Sequence, residues 1–267
     1  MEEKIILFNG KQIGYRKTGN GPTVVLVHGF GEDGRIWDNQ YLNLKGYRFI
    51  IPDLPGSGLS SPVNGTSMEE MAEALYFLIQ QEVIDEKIVL IGHSMGGYVS
   101  LSFVEKYPEM LSGFGLFHST SYPDTDEKKK TRLKGIQFIK DHGSYEFLKT
   151  AIPNLYSPIT KENHPQMIEE QLGRSHNFSP ESLVSYYEAM IARKSTSFVL
   201  KDARCPVLFI LGKYDTAVPL KDGLEQCKLP DFSYIHILEN SAHMGMREEV
   251  KDANQILYNF LENIFKS

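Results

Sequence analysis

Cysteine is nearly absent from this chain. Two thiols, Cys205 and Cys227, in 267 residues make no disulfide framework, and neither belongs to a C-x-x-C pair. They read as reduced thiols packed as small hydrophobes. Long apolar runs are missing too: none approaches the roughly 18 residues that span a bilayer. Met1-Glu2-Glu3-Lys4-Ile5 begins acidic and has no basic region ahead of a long apolar stretch. No signal peptide is expected, and the cytoplasm is the expected location. A basic excess is also lacking. The net charge of −6 leaves no footprint for nucleic acid, and anionic membranes would repel such a surface. There is no repeat of fixed period and no low-complexity segment. What is present suits a soluble globular protein. Hydrophobic residues make up 41%, enough for a real core, and 23% are charged, enough to keep the surface wet. The length fits one large domain, or one domain carrying a sizeable insertion.

Strand and helix signals alternate. Ile5 to Phe8, the turn pair Asn9-Gly10 and Gln12 to Lys17 read as a hairpin. Thr23 to Val27, Tyr47 to Ile51, Lys87 to Ile91, Gly113 to Phe117, Val207 to Leu211 and Tyr234 to Leu238 read as strands, the most apolar of them buried on both faces. Helices are predicted from about Ser67 to Gln81, over Met95 to Lys106 and over Arg247 to Phe265, with Ser67 as a cap ahead of an acidic first turn. The pattern predicts an α/β fold with a mostly parallel sheet flanked by helices. Residues 121–200 break the alternation. They carry no convincing strand, Pro153, Pro158, Pro165 and Pro180 divide them, and charge is interleaved with aromatics. They read as a helical cap of short helices, inserted into a core domain made of 1–120 and 201–267. The charge run Asp126 to Lys130 reads as a solvated helix face.

The chemistry is concentrated in a few short motifs. Gly92-His93-Ser94-Met95-Gly96 fits G-x-S-x-G, with a strand running into it and a helix leaving it. That context strains the serine backbone and exposes its hydroxyl above the sheet. A serine hydroxyl needs a base. His243 follows the last strand and Asp215 follows the strand before it, so both lie at the edge where an open sheet binds ligands. The order Ser94, Asp215, His243 is that of α/β hydrolases. Asp215 would fix the imidazole tautomer and stabilise its cation. An oxyanion needs two donors. The backbone N–H groups of Met95, directly after the serine, and of Phe30, in the His28-Gly29-Phe30-Gly31 loop, are the candidates. His93 and His28 read as structural.

HGFG at 28–31, DLPGSG at 53–58, GHSMGG at 92–97, GKYD at 212–215 and SAHMG at 241–245 together resemble the α/β-hydrolase superfamily over nearly the whole chain. The resemblance implies an eight-stranded sheet, a Ser-Asp-His triad, and neither cofactor nor metal. It places 121–200 where that family keeps its variable cap. The serine at the elbow separates the chain from dehalogenases and epoxide hydrolases, which use aspartate there. DLPGSG lacks the lysine of a phosphate loop and reads as structural.

Four activities fit these motifs. The first is hydrolysis of small or medium soluble carboxylic esters, and the others are cleavage of carbon–carbon bonds in vinylogous diketones, cofactor-free haloperoxidation or perhydrolysis, and ligand reception without catalysis. The aromatics Tyr145, Phe147, Tyr156, Phe178, Tyr186 and Tyr187 are candidates for lining an apolar pocket, although each is more simply read as cement between cap and core. No long apolar stretch in 121–200 suits docking on a lipid interface, so a small soluble ester is expected over an emulsified one. Ser94→Ala should abolish labelling by a fluorophosphonate probe while the circular dichroism spectrum is unchanged; undiminished labelling would remove Ser94 as the nucleophile.

Overall fold

The computed structural model describes residues 1–82 and 86–266. Eight strands form one sheet: β1 (Glu2–Phe8), β2 (Lys11–Thr18), β3 (Thr23–Val27), β4 (Arg48–Pro52), β5 (Ile88–His93), β6 (Leu111–Phe117), β7 (Val207–Gly212) and β8 (Ser233–Leu238). Their spatial order is β1-β2-β4-β3-β5-β6-β7-β8. β2 pairs antiparallel with β1 and β4, and all other neighbours are parallel. Every residue of β3, β5 and β7 is buried, as the unbroken apolar runs require of strands covered on both faces. In the β1–β2 turn Asn9 and Gly10 both take positive φ, 50° and 75°, which a two-residue hairpin of right-handed twist demands.

The strand order sets the site. The chain runs from β3 out to β4, then returns past β3 to β5. The connections after β3 and β5 leave in opposite directions, which opens a crevice at their carboxyl ends. Helix Met95–Lys106 follows β5 directly and packs against it. It lies very close to β3: a Cβ at Gly96 would fall 2.4 Å from the carbonyl oxygen of His28 and 2.5 Å from that of Val27.

Local signals hold where they were explicit. Helix Met68–Glu82 is capped by Ser67, whose hydroxyl accepts from Glu70 N–H while the Glu70 carboxylate accepts from Ser67 N–H. The C-terminal helix departs from expectation. It is split into Gly245–Glu248 and Val250–Phe265. The split lets the Glu248 carboxylate accept from Ala242 N–H, Ser157 N–H and the Thr160 hydroxyl, and lets Glu249 accept from Asn240 N–H. Those bonds outweigh the helical continuity suggested by the sequence periodicity.

Between β6 and β7 the described chain is helical, with helices Asp126–His142, Ser144–Ala151, Pro158–Asn163, Gln166–Gly173, Pro180–Ala192 and Ser197–Lys201. Pro158 and Pro180 occupy first helical positions, where the missing N–H costs nothing. The segment is tied to the sheet by polar bonds as well as apolar packing. Tyr186 Oη donates to the Pro55 carbonyl, and Arg247 donates to Gln171 Oε1. Asp53 organises the DLPGSG loop by accepting from Arg16, Gly34 N–H and Leu59 N–H, which is the structural role expected of that motif. Both cysteines are free, and burial pushes the Cys205 thiol up to about 11.

Gly96→Ala drives a methyl group into the carbonyls of Val27, at the end of β3, and His28, just beyond it, and overpacking of this kind costs about 1–3 kcal/mol or more. Its melting temperature should fall by several degrees, and an unchanged value would show that the helix can retreat from β3.

Candidate active site

Ser94 stands between the end of β5 and the first turn of helix Met95–Lys106, with φ 50° and ψ −117°. A side-chain-bearing residue in that region costs about 1–3 kcal/mol and persists only where its surroundings over-determine it. Three bonds do so: Ser94 N–H donates to the Phe117 carbonyl, and the Ser94 carbonyl accepts from Gly97 N–H and from the Ser119 hydroxyl. The HGFG loop comes equally close. A Cβ at Gly29 would lie 3.1 Å from Ser94 Cβ. Among the described residues, neither Phe30 N–H nor Met95 N–H is engaged by a loop hydrogen bond.

His243 leaves the end of β8, and its backbone is held by donation to the Leu155 carbonyl. Its Nδ1 lies 2.8 Å from Asp215 Oδ2. Asp215 Oδ1 accepts from Ala217 N–H at 2.8 Å and Val218 N–H at 2.9 Å. Burial would raise the Asp215 carboxyl, but His243, His118 and the Val218 amide together hold it below its ordinary value. The carboxylate therefore keeps the proton of neutral His243 on Nδ1 and leaves Nε2 as the basic nitrogen. Ser94 and His243 line the same crevice. Among the described residues no hydrogen bond joins them, and such bonds commonly tighten only around substrate.

Two further histidines sit behind this pair. His118 directly follows β6, with φ 48°. Gly245 N–H donates to its Nε2, so the ring proton is on Nδ1, 3.6 Å from Asp215 Oδ2. Burial pushes the pKa of His118 well below its ordinary value, with the neighbouring His243 and His93 adding to the effect. It is a neutral ring with an underused donor aimed at the acid. His93 does the opposite. Burial would lower it, but the Glu32 carboxylate at 2.9 Å raises it. Its Nε2 faces the His243 carbonyl at 2.9 Å. One nitrogen faces a carboxylate and the other a carbonyl, so both must donate and His93 is the imidazolium. Glu32 is buried as well, which would raise its carboxyl, yet His93 and Gly29 N–H hold it low. The structural reading of His93 is thus given a content: it anchors the His243 backbone. His28 holds the loop as expected, with Nε2 accepting from Leu54 N–H.

The crevice measures about 160 Å³. Leu148, Ala151, Ile152 and Leu155 line it from the helical segment, and Ala217 and Val218 from the loop after β7. Of the six aromatics considered from sequence, Tyr187 alone lines it, stacked 4.4 Å from the Phe30 ring. Phe147, Tyr156, Phe178 and Tyr186 are buried in the packing, and Tyr145 stacks on His176. The charge run also needs correction, because Lys128 turns into the crevice together with Arg132. A signal for this was available. Positions 128 and 132 continue the helical stripe of Gly135, Ile136 and Ile139, which is buried. Glu32 and His118 had no such signal, since contacts across the sheet bring them in.

The pKa of Glu32 is lowered, so its contribution to stability is present above the unfolded glutamate value of about 4.3 and is lost as pH falls through the folded value. The pKa of His93 is raised, so its contribution is lost as pH rises through the folded value. The pair therefore stabilises the window between. Removing one partner of a buried pair costs about 3–5 kcal/mol. Glu32→Gln should lower the melting temperature most inside that window and flatten its fall on the acid side. A uniform offset from pH 3 to 9 would show that the pair is not ionised.

Comparison with known proteins agrees with this architecture. A family model described as the alpha/beta hydrolase fold matches residues 22–138. A 2-hydroxy-6-oxononadienedioate/2-hydroxy-6-oxononatrienedioate hydrolase from a Pseudomonas species is 29% identical, over 91% of this chain and 89% of its own. A 2-hydroxy-6-oxo-6-phenylhexa-2,4-dienoate hydrolase from Comamonas testosteroni is 27% identical, over 93% and 91%. Among solved structures, a malate-bound thermophilic esterase from Thermogutta terrifontis superposes with a TM-score of 0.92 at 29% identity, covering 99% of both chains. With its eight-stranded sheet, its serine elbow and these relatives, the chain has the α/β-hydrolase fold.

Proposed function

We propose that this hydrolase cleaves small or medium soluble carboxylic esters through an acyl-enzyme on Ser94. The observation that carries the reading is a strained serine opening onto a crevice shared with His243, whose other nitrogen is bound by a buried, ionised Asp215. Ser94 Oγ attacks the ester carbonyl carbon as its proton passes to His243 Nε2. The N–H groups of Phe30 and Met95 receive the developing oxyanion. Collapse breaks the bond to the alcohol, which leaves with that proton. Water then gives a proton to His243, attacks the acyl carbon and releases the acid, and Ser94 regains its proton. Asp215 stays ionised throughout and stabilises the imidazolium. In this reading 121–200 acts as a cap that excludes water and limits acyl size. A volume of about 160 Å³ with aliphatic walls supports a short acyl group, since pockets for drug-sized ligands run to about 300–1,000 Å³.

A second reading is cleavage of a carbon–carbon bond in a vinylogous diketone by the same residues. It is favoured by one observation: the curated relatives that align over most of the chain carry such names. Nitrophenyl esters from acetate to palmitate, assayed beside a 2-hydroxy-6-oxo-dienoate, separate the two. The ester reading expects kcat/KM to peak between acetate and hexanoate and the dienoate to be cleaved far more slowly. Efficient dienoate cleavage with feeble ester turnover would establish the second reading instead, and a rate rising to palmitate with activation at an oil–water interface would indicate a lipase.

A further inference from the structure

The crevice above Ser94 contains more positive charge than its own chemistry uses. Lys128 and Arg132 both line it. They stand four residues apart on helix Asp126–His142 and so share a face, a spacing at which like charges repel. The Arg132 side chain is only 13% exposed, so water does little to relieve that repulsion. The counter-charges are few. Asp124, fully buried, accepts from Arg132 Nε and Nη2 and also from Arg193 Nη2 at 2.9 Å. Burial would raise the Asp124 carboxyl, and Arg132 and Arg193 keep it below its ordinary value. One carboxylate is thus divided between two guanidiniums. Lys128 Nζ donates to the Ala217 carbonyl at 2.6 Å, a neutral acceptor. Arg193 lies 3.9 Å over the Tyr98 ring, which is also neutral. Glu32, the one acid among the lining residues, is taken by His93. Arg132 Nη1 has no hydrogen-bond partner among the described residues. A chain of net charge −6 has therefore gathered a local cationic excess beside its nucleophile.

Concentrating uncompensated cations in a partly buried crevice is costly unless an anion completes the set. We propose that Lys128 and Arg132 bind an anionic group on the substrate, a carboxylate carried at the far end of a short acyl chain, so that the preferred esters are monoesters of small dicarboxylic acids. The placement suits this. Lys128 is held at the loop that also carries Asp215, and Arg132 sits 5.3 Å from the ring of Tyr187, which stacks on Phe30 of the HGFG loop. Both cations therefore border the space into which an acyl chain on Ser94 would extend, and the small volume keeps that chain to a few carbons.

The ester part of this inference rests on the proposed function, whereas the anion site does not, and two measurements keep them apart. The first is the ratio of kcat/KM for mono-4-nitrophenyl glutarate to that for 4-nitrophenyl pentanoate, after subtraction of spontaneous hydrolysis. A charge-assisted bond to the carboxylate should give the glutarate ester an advantage of about ten- to a hundredfold. Lys128→Gln keeps a donor for the Ala217 carbonyl and should bring the ratio near unity. Lys128→Glu should invert it. That residue is third in its helix, behind the Thr125 cap, where a carboxylate is favourable, so the variant should fold. Arg132→Gln should also lower the ratio, with Arg193 left to neutralise Asp124. The second measurement is calorimetric titration of glutarate into the Ser94→Ala protein and into the same protein carrying Lys128→Glu. Binding to the first and not to the second supports the anion site even if no ester is turned over, a result that would reject the ester reading alone. Equal ratios in wild type and Lys128→Gln, a wild-type preference for pentanoate, or glutarate binding that is absent or indifferent to Lys128→Glu would each overturn the proposal.

Discussion

The backbone of Ser94 is the constraint on which the site depends. A residue with a side chain is held at φ 50°, and it stays there because β5, β6 and helix Met95–Lys106 meet around it with no slack. The close approach of Gly96 to the β3 carbonyls is part of the same arrangement, since it brings the β5–helix turn down beside the HGFG loop. The cost of the strained turn is met by the extensive core on either side, where β3, β5 and β7 are entirely buried. A serine on an ordinary βα turn would cap its helix. Here its side chain makes no capping bond and faces the crevice instead.

Around that turn, three histidines within a few ångströms of one another have different electrostatic settings. His93 is charged because both its nitrogens face acceptors, one of them an ionised Glu32. His118 is neutral because it is buried, its Nε2 accepts from Gly245, and it stands beside other imidazoles. His243 has a single bond from its ring, to Asp215, and is the one that opens on the crevice. Partners and burial, more than residue type, set the three apart: one ring anchors a backbone, one backs the acid, and one opens on the crevice, where the proposed reaction needs a base.

The two halves of the crevice come from different parts of the chain. Ser94, His243 and the HGFG loop sit in turns and loops beyond the carboxyl ends of strands, while most of the aliphatic wall and the two cations come from the segment between β6 and β7. Under the proposed ester reading, the bond-breaking groups can stay constant while the helical segment sets which acyl group fits. This is why fold kinship with both an esterase and dienoate hydrolases leaves the substrate to be argued from the side chains themselves.

The sequence by itself determined the sheet and the strained serine turn. Strand alternation, the Asn9-Gly10 hairpin, the Ser67 cap and the G-x-S-x-G elbow are local patterns, and each depends on neighbours a few residues away. The pairing of His243 with Asp215 was also legible, because both follow adjacent parallel strands and the loops at one sheet edge must converge. What only the tertiary structure decided are contacts between residues far apart in sequence. Glu32, in the loop after β3, meets His93 at the end of β5, His118 backs Asp215 through the β6–β7 pairing, and the C-terminal helix breaks because Glu248 finds partners in the helical segment. The direction of Lys128 and Arg132 belongs to the same class. A run of charge reads as solvated when the helix is seen alone, and it turned inward because the buried stripe of that helix packs over the crevice. Periodicity identifies which residues share a face, but only packing decides what that face meets.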